Sequence, residues 1–363
     1  MTELRKDYIL DRYVIIASNR SKRPHQFKED NKDNDSKDNS NNNNNQNKND
    51  IKRNNDKENN NEREPPEEKS ISNECFFCRG HEKETPEEIY RLTKKNNWQI
   101  RVFPNKFAVV GSGNAAIKTD NDFFTFADGV GEHEIIVETP FHNKQLADLS
   151  VEELVDVFNT YIFRIKEMEK KPDVKYVLVF KNHGPNAGTS IVHSHSQIIA
   201  YNLVPTIIKQ KEEAVKRYAE HSGSCPYCKI MDIEKTSFRK MFENKTFVCF
   251  TPYASRMPYE VWFFPKRHIL KAEELNNNEI YDLCELLKKV LVKLKEMNAS
   301  YNFYLHSGTG NERNFHFHIE LLPRISTWAG FEFGTETIIN TTSPEDAAEF
   351  YRGEPYKRFQ SYF

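Results

Sequence analysis

The chain of 363 residues is long enough for two ordinary domains or one large two-part unit, so a sizeable core is open to it. A formal net charge of −2 argues against nucleic acid or any partner held by bulk charge, while leaving room for a locally basic site. No apolar run approaches the roughly 18 residues of a membrane span, and charged residues interrupt Met1 to Arg20 where a signal peptide needs an apolar stretch; the expected location is the cytoplasm, with no membrane partner.

In chain order, the first distinctive segment is 28–70, dominated by Asn, Asp, Lys and Glu and including the run Asn41 to Asn45. It has too little to bury to offset its own conformational entropy, and reads as a disordered, solvated insertion. What remains is rich in Phe, Tyr, Val and Ile, as a sheet-containing enzyme requires.

From Glu74 onward one order of features occurs twice. The first pass is Cys75-Phe-Phe-Cys78, a strand over Gln99 to Val110, a strand over Glu134 to Glu138 leading to His142, a helix over Ser150 to Glu169, a strand over Tyr176 to Phe180, and His193-Ser-His195-Ser-Gln197. The second is Cys225-Pro-Tyr-Cys228, strands at Phe247 to Phe250 and Val261 to Phe264 leading to His268, a helix over Asn278 to Met297, a strand over Tyr301 to His306, and His316-Phe-His318-Ile-Glu320. Alternation marks the strands, and apolar residues at helical spacing mark the two long helices. The expected fold is α+β: two tandem halves, 1–220 and 221–363, each an antiparallel sheet carrying one long helix. Neither GxGxxG nor GxxxxGK[ST] occurs, so a doubly wound dinucleotide fold is not indicated.

A CxxC turn brings two thiolates to one ion, and zinc accepts mixed sulfur and nitrogen ligands in a closed tetrahedron. The sequence offers that set twice: Cys75, Cys78, His142 and His193, then Cys225, Cys228, His268 and His316. A lone CxxC is equally a pair of inert buried cysteines or a redox motif; two pairs, each followed at similar intervals by histidines, favour metal. His133 competes with His142, which is preferred because its repeat partner His268 ends the equivalent strand. Zinc is expected at both sites, with iron as the alternative at the second.

On a strand of period two, His193 and His195 face one side together with Gln197. His193 can then serve the first metal while His195 offers a neutral ring nitrogen to a phosphorus, making a covalent phosphoramidate that divides one transfer into two easier steps. Gln197 can donate an amide hydrogen to a phosphoryl oxygen. The loop Asn182-His-Gly-Pro-Asn-Ala-Gly188-Thr-Ser190 suits backbone amides to phosphate. In the second copy Glu320 replaces Gln197 and would repel a diphosphate, so the first half is read as the catalytic one and His318 as structural or metal-adjacent. The competing reading is a non-catalytic zinc protein in which both histidines are only ligands.

At these residues, together with Arg20-Ser-Lys-Arg23-Pro, Phe103-Pro-Asn105-Lys-Phe107 and Phe331-Glu332, the chain resembles the galactose-1-phosphate uridylyltransferase family, a two-half branch of the histidine-triad superfamily. The resemblance implies a ping-pong transfer of UMP from UDP-glucose to galactose-1-phosphate through His195. It implies phosphate contacts from Gln197, Ser190, Arg20 and Arg23, a nucleotide pocket shaped by Asn105, Asn182 and Gly188, and Phe331 with Glu332 near the sugar. It also implies a homodimer and no diffusible organic cofactor. Two departures stand out: Ser194 where many members have proline, and Lys211 where such members carry a metal-binding glutamate. The His-Ser-His-Ser-Gln spelling, the second CxxC and Gly330-Phe-Glu-Phe-Gly334 are similar to a related branch, ADP-glucose phosphorylase, which passes an adenylyl group from the same kind of histidine to inorganic phosphate.

Overall fold

The computed structural model describes residues 2–18, 72, 74–119 and 123–354; Arg20, Arg23 and the Asn-rich stretch lie outside the described residues. The strands are β1 (Thr2–Lys6), β2 (Tyr13–Ala17), β3 (Tyr90–Lys94), β4 (Asn97–Pro104), β5 (Lys118–Thr119), β6 (Thr125–Phe126), β7 (Gly131–Val137), β8 (Tyr176–His183), β9 (His195–Tyr201), β10 (Lys240–Glu243), β11 (Phe247–Phe250), β12 (Val261–Pro265), β13 (Tyr301–His306), β14 (His318–Pro323) and β15 (Ile338–Asn340). The helices are α1 (Val151–Glu169), α2 (Thr206–Ser222), α3 (Pro226–Glu234), α4 (Asn277–Glu296), α5 (Gly330–Thr335) and α6 (Pro344–Arg352). None of the described helices is long and apolar enough to cross a membrane.

Ten strands form one sheet in the order β10-β11-β12-β14-β13-β8-β9-β7-β4-β3, with every neighbouring pair antiparallel. Read inward from its two edges, the sheet has the same chain order on both sides, and the two sets meet where Tyr301 to Tyr304 pair with His183 to Phe180. The α+β class expected from alternation is therefore present, with the two five-stranded sets joined edge to edge. Joining β8 to β13 removes two exposed strand edges that would otherwise need protection.

Period-two alternation gives the sheet two faces with different tasks. Ile136 of β7 and Ile198 and Ala200 of β9 pack with Leu154, Phe158 and Ile165 of α1; Val261 and Phe263 of β12 pack with Leu287 and Leu291 of α4, all in one continuous core. The intervening residues Ile135 and Val137 turn instead toward Cys75, Phe77, Cys78 and Phe103, and Trp262 and Phe264 turn toward Cys225 and Tyr227. The helices α1 and α4 begin alike. Ser150 accepts from the Glu153 amide and Asn276 from the Glu279 amide, each glutamate reaching back to the cap residue. A smaller sheet, β1-β2-β15, ties the N-terminal strands to the C-terminal part, with β15 parallel to β2.

Several expected boundaries differ. The strand expected over Gln99 to Val110 runs Asn97–Pro104, because Asn105 Oδ1 accepts from the Phe107 amide at 2.9 Å and turns the chain. The strands β9 and β14 begin at His195 and His318, so His193 and His316 stand just before them. Helix α2 was not among the expected elements.

Candidate active site and metal centres

The Cys75–Cys78 turn closes with the Cys78 amide donating to the Cys75 carbonyl at 3.1 Å. It sets both sulfurs toward two imidazoles: His193 Nδ1 lies 3.6 Å from Cys75 Sγ and 3.5 Å from Cys78 Sγ, and His142 Nδ1 lies 3.5 Å from Cys78 Sγ. A tetrahedral zinc with Zn–S of about 2.3 Å and Zn–N of about 2.0 Å holds sulfur and nitrogen about 3.5 Å apart, so the donor set fits that ion. His193 Nε2 sits 2.7 Å from the Thr139 carbonyl, which makes Nε2–H the donor and leaves the Nδ1 lone pair facing the sulfurs.

The second set repeats this construction. Cys228 Sγ is 3.4 Å from Nδ1 of both His268 and His316, and their Nε2 atoms face the carbonyls of Arg313 at 2.9 Å and Pro265 at 3.0 Å. Both four-residue groups have all donor atoms within 4.8 Å of one another. His142 belongs to the first group, and His133 lies elsewhere.

His195, at the first position of β9, is buried and points to the same face as the cysteines, with its ring edge-on to Phe77 at 5.3 Å. Its Nδ1 lies 2.8 Å from the His193 carbonyl, so Nδ1 carries the hydrogen and the Nε2 lone pair is left for an electrophile. Burial, and secondarily the nearby Lys181 ammonium, hold its pKa below the ordinary histidine value, which keeps the ring neutral and nucleophilic. The cleft beside it is lined by Gln145, Asn182, His183, Gly184 and Thr189.

A buried polar network lies behind His195. Lys181 Nζ donates to the His195 carbonyl at 2.9 Å, to Ser194 Oγ at 3.1 Å and to Glu138 Oε2 at 2.5 Å. The same carboxylate accepts from Ser194 Oγ at 2.6 Å, and through its other oxygen from Ser196 Oγ and Tyr161 OH, both at 2.5 Å. Ser194, the departure from the proline of many relatives, thus has a partner on each side. Sequence reasoning missed Glu138, Lys181 and Tyr161 because they come from three separate parts of the chain.

The Asn182 to Ser190 loop is held from the other half of the molecule. Asn302 Nδ2 donates to Asn182 Oδ1 at 2.8 Å and to the Ala187 carbonyl at 2.9 Å. Gly184 has φ +80°, and a Cβ there would stand 2.3 Å from Ser300 Oγ. Gly188, also left-handed at φ +81°, closes the short 3-10 turn Pro185–Ala187, and Ser190 is exposed at the loop's end. Gln197 and Asn105 meet at His133, whose Nε2 is 2.8 Å from Gln197 Oε1 and 3.1 Å from Asn105 Nδ2. Phe331 and Glu332 lie on α5, where the Glu332 carboxylate caps the helix through the Ala329 amide at 3.0 Å. They line no part of the cleft beside His195.

In the second half His318 repeats the geometry of His195, with Nδ1 2.8 Å from the His316 carbonyl. Its surroundings differ. Tyr227 and Phe264 rings cover it at 5.0 and 4.9 Å, and Glu320 binds Lys211 and Arg256. His306, His318 and Glu320 form a third group of metal-ligand type, but the Lys211 ammonium stands in it, 2.8 Å from His306 Nδ1. A resident cation and a roof of aromatic rings leave no opening for a phosphate at His318.

Two family models match this chain: galactose-1-phosphate uridyl transferase, N-terminal domain, over residues 1–205, and a domain of unknown function over residues 112–351. The chain is 31% identical over 360 residues to ADP-glucose phosphorylase of Arabidopsis thaliana, covering 96% of this chain and 92% of that protein. It is 28% identical to galactose-1-phosphate uridylyltransferase of Thermotoga maritima over 77% of this chain and 89% of the relative. A crystal structure of an ADP-glucose phosphorylase from Arabidopsis thaliana with bound ADP-glucose superposes with a TM-score of 0.77 at 28% identity, covering 98% of this chain and 100% of that one. By the extent of these matches, the chain is a nucleotidyl-transferring enzyme and belongs to the galactose-1-phosphate uridylyltransferase family.

Proposed function

We propose that this enzyme transfers a nucleotidyl group from a nucleoside diphosphate hexose through a covalent adduct on His195, and that its donor is ADP-glucose and its acceptor inorganic phosphate. The observation that carries the covalent step is the hydrogen bond from His195 Nδ1 to the His193 carbonyl, 2.8 Å long, which leaves Nε2 as the nucleophile in a buried cleft. Nε2 attacks the α-phosphorus and the bond to the β-phosphate oxygen breaks, so glucose-1-phosphate leaves with the electron pair and needs no proton from the protein. The adduct's imidazolium keeps its Nδ1–H on the His193 carbonyl. A phosphate oxygen then attacks the same phosphorus, the P–N bond breaks, and ADP and neutral His195 result. Gln197 serves the phosphoryl oxygens as charge develops, and the amides of the Asn182 to Ser190 loop serve the diphosphate.

Metal held by the two Cys/His groups would support this chemistry through position. Zinc at Cys75, Cys78, His142 and His193 would pin the residue two before the nucleophile, and so the carbonyl that sets its tautomer. The second set would hold the corresponding turn of the other half. The Lewis acidity of either ion is not used in the steps above.

The adenylyl reading is supported by a 31% match spanning 96% of the chain, together with the His-Ser-His-Ser-Gln spelling and the second CxxC. A second reading, transfer of UMP from UDP-glucose to galactose-1-phosphate, is supported by the N-terminal family match and the Thermotoga maritima relative. Intact-protein mass after brief exposure to ADP-glucose or UDP-glucose separates them. An adenylyl-sized gain discharged by phosphate supports the first, and a uridylyl-sized gain discharged by galactose-1-phosphate replaces it with the second. No adduct with either donor overturns the covalent mechanism and favours a non-catalytic role for the histidines.

A further inference from the structure

His133 has no place in either metal group, yet it is buried in the middle of the site-bearing face of β7. Its hydrogen bonds determine its tautomer. The Val109 backbone amide points at Nδ1 from 3.3 Å, and a backbone N–H can only donate, so Nδ1 is the acceptor. Burial holds the His133 pKa below the ordinary value, so the neutral ring has one N–H, and it sits on Nε2. Nε2 lies 2.8 Å from Gln197 Oε1 and donates to it. With its oxygen engaged in this way, the Gln197 amide keeps its NH2 group as the end not bonded to His133.

The neighbouring amide is fixed by the same logic. Asn105 Oδ1 accepts from the Phe107 amide at 2.9 Å, so its Nδ2 is the end that lies 3.1 Å from His133 Nε2. Because Nε2 carries the hydrogen, it has no lone pair for Asn105. The Asn105 NH2 group instead has the Nδ1 lone pair of the same ring within 3.5 Å, beside the Val109 amide.

We propose that His133 is a positioning residue for the nucleotidyl transfer, acting as a one-way relay from the Val109 amide through its ring to Gln197, so that the Gln197 amide presents its N–H donors and not its oxygen to an incoming phosphate. Without the ring, Gln197 can rotate about its last torsion and offer its carbonyl oxygen, which repels the phosphoryl oxygens it should stabilise. This inference rests on the His195 mechanism proposed above and adds to it the means by which Gln197 is oriented.

The test is a double-mutant cycle on the rate of His195 adduct formation, with metal content measured alongside. His133→Ala and Gln197→Ala are each expected to slow adduct formation by about 100-fold, the scale of one lost oxyanion donor. The double variant is expected to be no slower than Gln197→Ala alone, since the two residues act as one unit. All three are expected to keep the wild-type metal content. Multiplicative losses in the double variant overturn the proposal, as does a His133→Ala protein that has lost metal. If His133→Ala does not fold, His133→Gln replaces it, because its amide N–H can donate to the same oxygen. Recovery to within about tenfold of wild type supports the relay, and a folded His133→Gln protein as slow as Gln197→Ala refutes it. Absence of any adduct on the wild-type protein would instead strike at the His195 mechanism, and the two failures are thereby distinguished.

Discussion

Lys181 reaches His195 through the backbone: its ammonium donates to the His195 carbonyl at 2.9 Å while pairing with Glu138, and both charged side chains are buried. The pair holds the peptide unit of His195 itself. Removing one member of a buried ion pair strands the other charge, so Lys181→Met is expected to lose about 3–5 kcal/mol of stability. Replacing both, as in Lys181→Met with Glu138→Gln, is expected to recover most of that. Chemical denaturation of the three proteins checks this; equal destabilisation of the single and double variants would contradict it.

The division of labour between the adjacent histidines predicts separable losses. His195→Asn is expected to abolish the covalent adduct and leave metal content unchanged, because His195 Nε2 is no ligand in either group. His193→Asn is expected to lose the first metal and the adduct together, since the imidazole faces both sulfurs and, without the ion, the backbone carbonyl that sets the His195 tautomer loses its anchor. Elemental analysis and intact mass on the same samples decide the matter. Metal loss in His195→Asn would favour the non-catalytic reading.

Metal stoichiometry is expected to be two ions per chain. The third donor group, His306, His318 and Glu320, already contains the Lys211 ammonium, and a second positive charge there would be repelled. Cys78→Ser and Cys228→Ser are each expected to remove one ion. Three ions in the wild-type protein would show that Lys211 can be displaced.

Glu345 joins the N-terminal strands to α6 and to the second half through Arg5 at 3.0 Å and Arg239 at 2.9 Å. Burial pushes its carboxyl pKa up, but the two guanidiniums, Arg5 foremost, outweigh this and hold it below the ordinary carboxylate value. A depressed folded-state pKa contributes stability above the unfolded value of about 4.3, and that contribution is lost as pH falls through the folded pKa. Glu345→Gln is therefore expected to be less stable than wild type at pH 7, with the gap closing in acid. Thermal melts at pH 7 and pH 3 test it, and a gap that is constant or widens in acid is the contrary result.

Much of the site is written locally. Cys75 with Cys78, Cys225 with Cys228, and His193 with His195 are short-range spacings, and chain geometry over three residues leaves a CxxC turn and an alternating strand few other dispositions. The choice of His142 over His133 followed from repeat position, and the structure places His142 with the sulfurs. Two features needed the fold. The role of His133 depends on the antiparallel register of β7 against β9, which sets Ile135 opposite Gln197 and so brings His133 within reach of that side chain. The occupation of the second-half pocket depends on α2 carrying Lys211 across to Glu320, a contact between residues more than a hundred positions apart.

The sequence by itself determined the α+β class, the repeated plan and both Cys/His sets that could hold a metal ion. These follow from periodicity and from spacings of a few residues, which backbone geometry converts into direction. Only the tertiary structure decided that the two five-stranded sets share one sheet, which tautomer His133, His193 and His195 adopt and which cation fills the second pocket. Those outcomes depend on strand register and on which carbonyl or ammonium arrives from a distant element, and local backbone geometry carries no information about either.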